Sequence, residues 1–292
     1  MSDQPVLKTV QLTKTYTDFW GRARVTALDH LDLEVRPGEV FGLLGPNGSG
    51  KTTTIKLLLG LIRPTRGDAF VFGQDPHDRK VKQRIGYLPE ETYLYKFLTA
   101  DETLTFFGRI FKLPSDVIRK RSDELIALVG LQHARRRRLG EYSKGMARRL
   151  GLAQALINDP DLVVLDEPTS GLDPIGSAEV KDLIVELKRR GKTVLLCSHL
   201  LADVESVCDR IAIMHQGVLR ECGRVDDLLR DDQRLNIELD RPDEATIAAV
   251  KAAAGASLLG VAPPRERLEA RFRRIIAAAQ PTSGAKNPVE KR

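Results

Sequence analysis

The chain has 292 residues, 42% of them hydrophobic, enough for one large domain or one domain with an appendage. Its 46 Lys and Arg against 40 Asp and Glu give a formal charge of +6, a mildly basic balance that agrees with polyanionic ligands or an anionic membrane surface and selects neither. Cys197, Cys208 and Cys222 are too few and too scattered for a disulfide or zinc framework, Met1 to Pro5 lacks a signal peptide's apolar core, and no apolar run approaches the ~20 residues that span a bilayer, so a soluble chain of a reducing interior is expected.

The first elements read as strands. Val6 to Val10 alternates loosely, and Leu28 to Val35 alternates cleanly, with Leu31, Leu33 and Val35 set against Asp32 and Glu34. Tyr16, between them, reads as a partly buried strand aromatic or as a stacking platform for a nucleobase; alone, the first reading is favoured. Pro37-Gly38 is a turn, and Val40 to Leu44 is an apolar strand.

That strand runs into Gly45-Pro46-Asn47-Gly48-Ser49-Gly50-Lys51-Thr52, which fits G-x-x-x-x-G-K-[ST], the phosphate-cradling loop. Glycines let the backbone curl so that several N–H groups face one anion. A helix from Thr52 to Leu59, stopping at Gly60, adds its positive N-terminus. Lys51 supplies a full charge for the outer phosphates, and the Thr52 hydroxyl suits Mg²⁺.

Pro64 to Asp68 then reads as a turn, Ala69 to Phe72 as a strand, and Arg84 to Pro89 as a strand ending at proline. From Thr99 to Asn158 helical periodicity dominates, with helices near Asp101–Phe111, Ser115–Val129 and Ser143–Ile157; Ser115 is an expected N-cap and Gly130 an expected C-cap. Arg135 to Arg138 is a four-arginine run, read as a solvated face, with contact to lipid phosphates or an acidic partner as the alternative. Tyr142-Ser143-Lys144-Gly145-Met146 opens the third helix. A Ser and a Gly at a helix N-terminus make either a second anion site or an ordinary cap, and the residues alone do not choose.

Leu162 to Leu165 is a continuous aliphatic run, the pattern of a parallel strand buried on both faces, and it delivers Asp166 and Glu167 at its C-terminal edge. Asp166 there can hold Mg²⁺ against phosphates, and Glu167 can polarise a water for in-line attack on a γ-phosphorus. A helix over Ala178–Arg189, a strand over Thr193–Cys197 ending in Ser198-His199, a helix over Leu201–Cys208 and a strand over Arg210–Met214 follow. Alternating strands and helices of this kind mean a parallel α/β sheet. His199 could hydrogen-bond a phosphate, although an isolated histidine is more often structural. Beyond Asp231 the expectations are a strand near Leu235–Leu239, a helix over Asp243–Ala254, a helix after Pro263-Pro264 with Leu268, Phe272, Ile275, Ile276 and Ala279 on one face, and a disordered tail from Pro281.

Five motifs in this order make the chain resemble the nucleotide-binding subunit of an ABC transporter over about residues 5–225. They are Gly45–Thr52, the signature Tyr142–Met146, Asp166-Glu167, Ser170-Gly171-Leu172-Asp173, and His199. The resemblance implies a P-loop NTPase core with a mainly parallel sheet, an N-terminal antiparallel β subdomain and a helical insertion at about 91–158. It also implies a small C-terminal α+β accessory domain at 231–280.

It implies ATP and Mg²⁺ as cofactors. Gly45, Pro46, Asn47, Gly48, Ser49, Gly50, Lys51, Thr52 and Thr53 would hold ATP with Tyr16 under the adenine, and Thr52, Glu90 and Asp166 would surround the metal. Glu167 would be the catalytic base and His199 the γ-phosphate sensor. Ser143, Lys144, Gly145 and Met146 would act in trans on the partner's ATP, and Asp173 would link the two subunits.

Two departures stand out: the signature differs from the family's usual Leu-Ser-Gly-Gly-Gln, and Glu90 stands where Gln is usual. Both variants, and the C-terminal segment, resemble a subset paired with separate membrane permeases, often in export. The expected partners are such a permease and a second ATPase subunit, expected as a homodimer, with the chain cytoplasmic and peripheral on the inner face of the cell membrane. A soluble ATPase of this type acting on nucleic acid or ribosomes is the alternative, motivated by the basic balance and the four arginines; nucleic acid is not the expected partner. A small-molecule kinase shares the phosphate loop but explains neither the signature nor the run from Asp166 to Asp173.

Overall fold

The computed structural model describes residues 4–17, 23–230, 239–240 and 243–255. They form nine strands and nine α-helices in two compact units, Met1–Leu229 and Arg230–Arg292.

The first unit carries two sheets. One has three antiparallel strands in the order β2 (Ala23–Val35), β1 (Leu7–Thr17), β4 (Arg66–Val71). The loose alternation at the start of β1 has a local cause. The register slips between Thr9 and Leu12, Gln11 adopts φ 47°, and its N–H donates to Asp32 Oδ1 at 2.6 Å. This bulge lets Leu7, Thr9 and Leu12 face inward together.

The other sheet has six strands in the order β5 (Ile85–Leu88), β6 (Leu162–Asp166), β7 (Thr193–Ser198), β3 (Val40–Leu44), β8 (Arg210–His215), β9 (Val218–Arg224). All its pairs are parallel except β8 with β9. The α/β class with an antiparallel β subdomain, expected from the sequence, is the fold observed.

The central strands β3, β6 and β7 are buried at every residue. Their side chains alternate between two cores. Val40, Leu44, Val163, Leu165, Val194 and Leu196 pack with the helices. Phe41, Leu43, Leu162, Val164, Leu195 and Cys197 pack with the three-stranded sheet and α1 (Lys51–Leu58). Registers Leu44↔Ser198 and Asp166↔Cys197 make the C-terminal ends of β3, β7 and β6 nearly flush. Loops leaving those ends therefore emerge side by side, where ligands sit in parallel sheets.

Helices α2 (Arg79–Lys82), α3 (Ala100–Ile110), α4 (Ser115–Leu128) and α5 (Lys144–Ala155) lie between β4 and β6 in sequence. Thr99 and Glu102 form a capping box on α3. Ser115 is not the cap of α4: Pro114 takes that position without a side-chain bond, its fixed φ of −58° suiting the helix entry. Gly130, at φ 67°, follows the last turn of α4 as expected.

Helix α6 (Pro174–Arg189) begins four residues before the expected Ala178, because Asp173 caps it and Pro174 occupies the first turn. Strand β4 starts at Arg66, inside the expected turn. The arginine run is not a uniform solvated face. Arg135 brackets Asp101 (Nε–Oδ2 2.7 Å) and Asp123 (2.5 Å), tying α3 to α4.

Helices α7 (Leu201–Val207) and α8 (Val225–Leu228) complete the first unit. The second contains α9 (Glu244–Ala254), capped by Asp243, whose Oδ1 accepts from Thr246 N at 2.7 Å. It is the helix expected over Asp243–Ala254. The strand expected at Leu235–Leu239, the helix from Leu268 to Ala279 and the tail from Pro281 lie wholly or almost wholly outside the described residues. No helix among the described residues is long and apolar enough to cross a membrane.

Candidate functional site

A cleft of about 740 Å³ opens over the flush strand ends. Its floor is the loop between β3 and α1. Gly50, at φ 104°, is the N-cap of α1, and a Cβ there would lie 2.6 Å from Ala27 O. Gly48 also has positive φ, at 80°, yet nothing lies within 4 Å of its Cβ position. The first glycine is required by packing. The second leaves open space on the concave side of the loop, room for a ligand to approach the backbone.

Lys51 is buried and folds back over the loop, donating to Gly45 O at 2.5 Å and Pro46 O at 3.3 Å. The Ser49 hydroxyl is buried without a hydrogen-bond partner among the described residues. A loop with positive φ glycines, an inward lysine and an orphaned hydroxyl is ready for an anion.

Three carboxylates, those of Glu90, Asp166 and Glu167, line the same cleft. Asp166 ends β6 and is buried. Burial first, then the charges of Glu167 and Glu90, push its carboxyl from 3.8 up to about 6, against the pull of Lys51 and Arg148. Three anionic side chains around one cleft call for a cation. Among the described residues no cluster of three or more His, Cys, Asp and Glu could hold a metal unaided. That donor set fits Mg²⁺, which takes one or two carboxylates and completes its shell with phosphates and water. Thr52 lines the same cleft and offers its hydroxyl.

Glu167 occupies the left-handed region, at φ 48°, with its N–H donated to Cys197 O at 2.9 Å. The turn aims its side chain at His199, with Oε2 2.8 Å from Nδ1. Glu167 is buried and the His199 side chain is 45% exposed, so the pair spans the cleft wall from inside to solvent.

Of the residues expected from the sequence, Tyr16, Asn47, Gly48, Ser49, Gly50, Lys51, Thr52, Thr53, Glu90, Asp166, Glu167 and His199 line this one cleft. Tyr16 lines it together with Thr17, Val25, Thr26 and Ala27. Gln216, in the β8–β9 turn, also lines it. These last five have no motif; only the pairing of β1 with β2 and of β8 with β9 brings them in.

Ser143, Lys144, Gly145 and Met146 do not line the cleft. Ser143 caps α5, accepting from Met146 N at 3.2 Å, and it is exposed. Lys144 leans on Gly171, whose φ of 66° presents bare backbone to the ammonium. Asp173 caps α6 through Gly176 N at 2.7 Å.

A residue beside the cleft also escaped sequence reasoning. Arg148, buried on α5, donates from Nη2 to Asp166 O at 2.6 Å and Glu167 O at 2.8 Å, and from Nε to Pro168 O at 3.0 Å. Its Nη1 reaches Pro89 O, Glu90 O at 2.9 Å and Thr92 Oγ1 at 3.1 Å. Desolvation lowers its pKa to about 10, against the charges of Asp166, Glu90 and Glu167. Its spacing with Leu152 and Ala155 on the buried face of α5 was the available signal.

Residues 28–170 match the family model described as ABC transporter. An uncharacterized ABC transporter ATP-binding protein of Nostoc sp. is 49% identical over 236 residues, 80% of this chain and 70% of the relative. This chain belongs to the ABC transporter family.

A fluoroquinolones export ATP-binding protein of Mycobacterium tuberculosis is 43% identical over 199 residues, 67% of this chain and 64% of its own. A solved ATP-binding cassette, a dimer in a post-hydrolysis state bound to ADP and Pi, superposes with TM-score 0.67 at 26% identity, covering 75% of this chain and 98% of that one. As an ABC ATP-binding subunit, the chain is an ATPase that uses ATP with Mg²⁺. Subunits of this family dimerise and work with membrane permeases.

Proposed function

We propose that the chain energises a separate membrane permease, in the direction of export, as one half of a head-to-tail ATPase homodimer. The observation that carries this is a division within the molecule. Phosphate loop, carboxylates and histidine converge on one cleft, while the capped, exposed N-terminus of α5 lies outside it. A second copy that offered its Ser143 end to this cleft would close it. The exporter relative in Mycobacterium tuberculosis supports the direction.

In this reading Gly45 to Thr53 wrap the triphosphate, Lys51 turning from its carbonyls to the outer phosphates, and Tyr16 stacks on the adenine. Thr52, Asp166 and Glu90 hold Mg²⁺, which when bound neutralises charge on the β- and γ-phosphates. Glu167 accepts a proton from the attacking water. His199 fixes Glu167 through Nδ1 and keeps Nε2 for a γ-phosphate oxygen. In trans, the Ser143 hydroxyl and Gly145 amide bind that phosphate beside Lys144 and Met146, and Asp173 links the copies.

Residues 5–225 form the cassette, with the insertion at 91–158 receiving the permease around Glu90 to Leu98. Residues 231–280 form an accessory domain that dimerises or regulates. The chain then resides in the cytoplasm, held to the inner face of the membrane by its permease. Two of the four arginines that motivate the nucleic-acid alternative have carboxylate partners, Arg135 with Asp101 and Asp123 and Arg137 with Glu141, which favours the transport reading.

The test is Glu167→Gln. Turnover falls about a thousandfold, as removal of a general base does. Size-exclusion chromatography with light scattering shows a dimer only with MgATP, and affinity capture from native membranes retrieves a polytopic membrane protein. A strictly monomeric MgATP-loaded variant, or one with turnover within a few-fold of wild type, defeats the proposal.

A further inference from the structure

Arg148 joins two segments that sequence keeps far apart. One is the stretch Pro89 to Thr92 that follows β5; the other is Asp166 to Pro168 at the end of β6. A guanidinium fork suits this task. Its five N–H groups lie in one plane and point both ways, whereas an ammonium concentrates three donors on one atom. The hydrogen bonds run to main-chain oxygens and one hydroxyl, so they hold the backbone on which Glu90, Asp166 and Glu167 are mounted.

Arg148 also belongs to α5, five residues beyond Ser143. A helix transmits displacement of its end along its length, because its own hydrogen bonds resist shortening. The N-terminus of α5 and the carboxylate strand end are therefore mechanically joined by one side chain. In the sandwich proposed above, on which this inference rests, they serve different nucleotides. Ser143 and Gly145 touch the ATP of the partner; Asp166 and Glu167 work on the chain's own.

We propose that Arg148 is a positioning residue that couples the two ATP sites of the dimer, converting engagement of one γ-phosphate by the head of α5 into alignment of the carboxylates at the other. A merely structural arginine would change stability and leave cooperativity alone. A coupling arginine changes the dependence of rate on ATP concentration.

The experiment measures steady-state hydrolysis by the full chain over a range of MgATP. The wild type gives a Hill coefficient near 2. Arg148→Lys lowers it toward 1 and lowers kcat about tenfold, within the range of ordinary coupling between sites. Its affinity for ATP under EDTA, at concentrations that keep it monomeric, stays within about twofold of wild type by the same reasoning. Combined with Ser143→Ala, the losses are less than additive.

A wild-type Hill coefficient near 1, a Hill coefficient that Arg148→Lys leaves unchanged, or an affinity that falls with kcat overturns the inference. If Arg148→Lys folds poorly, Thr92→Val decides, since it removes one acceptor and leaves the buried charge: a lowered Hill coefficient supports the inference and a wild-type one overturns it. A Glu167→Gln protein that does not dimerise removes the sandwich itself. One that dimerises while Arg148→Lys stays cooperative removes only the coupling.

Discussion

The phosphate loop and the head of α5 are both helix N-termini that follow or contain glycine, yet the chain finishes one and leaves the other open. Around the loop, strand ends supply walls and acidic groups, and the first turn of α1 supplies an inward lysine. Around Ser143 there is a cap and exposed polar surface. A helix dipole alone gives a modest, screened attraction for an anion. What separates the two is depth: buried donors at the loop act in a medium where charge is poorly screened, and those at Ser143 gain that medium only when covered.

Removing the loop's charge is the harshest way to break this contrast. Lys51→Ala should weaken ATP binding about a hundredfold, the upper range for a hydrogen bond to a charged group, with a fluorescent ATP analogue reporting Kd. Binding within a few-fold of wild type would mean that the backbone amides suffice.

Next comes the crowding of negative charge. Asp166 has a folded pKa of about 6 against 3.8 for the free side chain. A carboxyl raised in this way favours the native state while protonated, below about pH 4, and that benefit is lost as pH rises through 6. At neutral pH its ionisation costs the nucleotide-free protein roughly 2–3 kcal/mol. Asp166→Asn should therefore raise the Tm of the protein in EDTA at pH 7.5, and its advantage should shrink on moving to pH 5. An advantage that is absent or grows toward pH 5 would contradict the assigned burial.

A gentler change probes the open terminus. Ser143→Ala should leave single-site ATP affinity unaltered and cut kcat about tenfold, the loss of one charge-assisted bond made only in the dimer. Equal losses in both quantities would place Ser143 in its own chain's site. The smallest effect belongs to the capping box of α3: Thr99→Ala should cost about 1 kcal/mol, read by denaturant unfolding, without altering ATP affinity.

Much of this arrangement was legible because it is local. The loop declares itself within eight residues, and Leu162 to Leu165 spells a doubly buried strand. Other parts are legible only in three dimensions. β9, with Arg220, Glu221 and Arg224 along an exposed edge, has no apolar run to announce it. Pro174 and Gly176 look like helix breakers, and only the cap at Asp173 makes them a helix start. The residues alone leave Tyr16 a strand aromatic and only the resemblance sets it at the nucleotide; the pairing Tyr16↔Val25 supplies the physical reason it stands at the cleft. Arg148 was hidden for another reason: a cation in a basic helix reads as solvated until the carbonyls around it are seen.

The level ending of β3, β6 and β7 has a bearing on engineering. Outside the rim, chain length can vary while the floor keeps its dimensions. Within a strand, one inserted residue would advance its terminus by about 3.3 Å and reverse which face each side chain meets. For β6 that would carry Asp166 away from the cleft and drive Val163 and Leu165 into the opposite core. Tags, labels or grafted peptides should therefore be confined to connecting segments that do not line the cleft, and the three short strands treated as fixed in length.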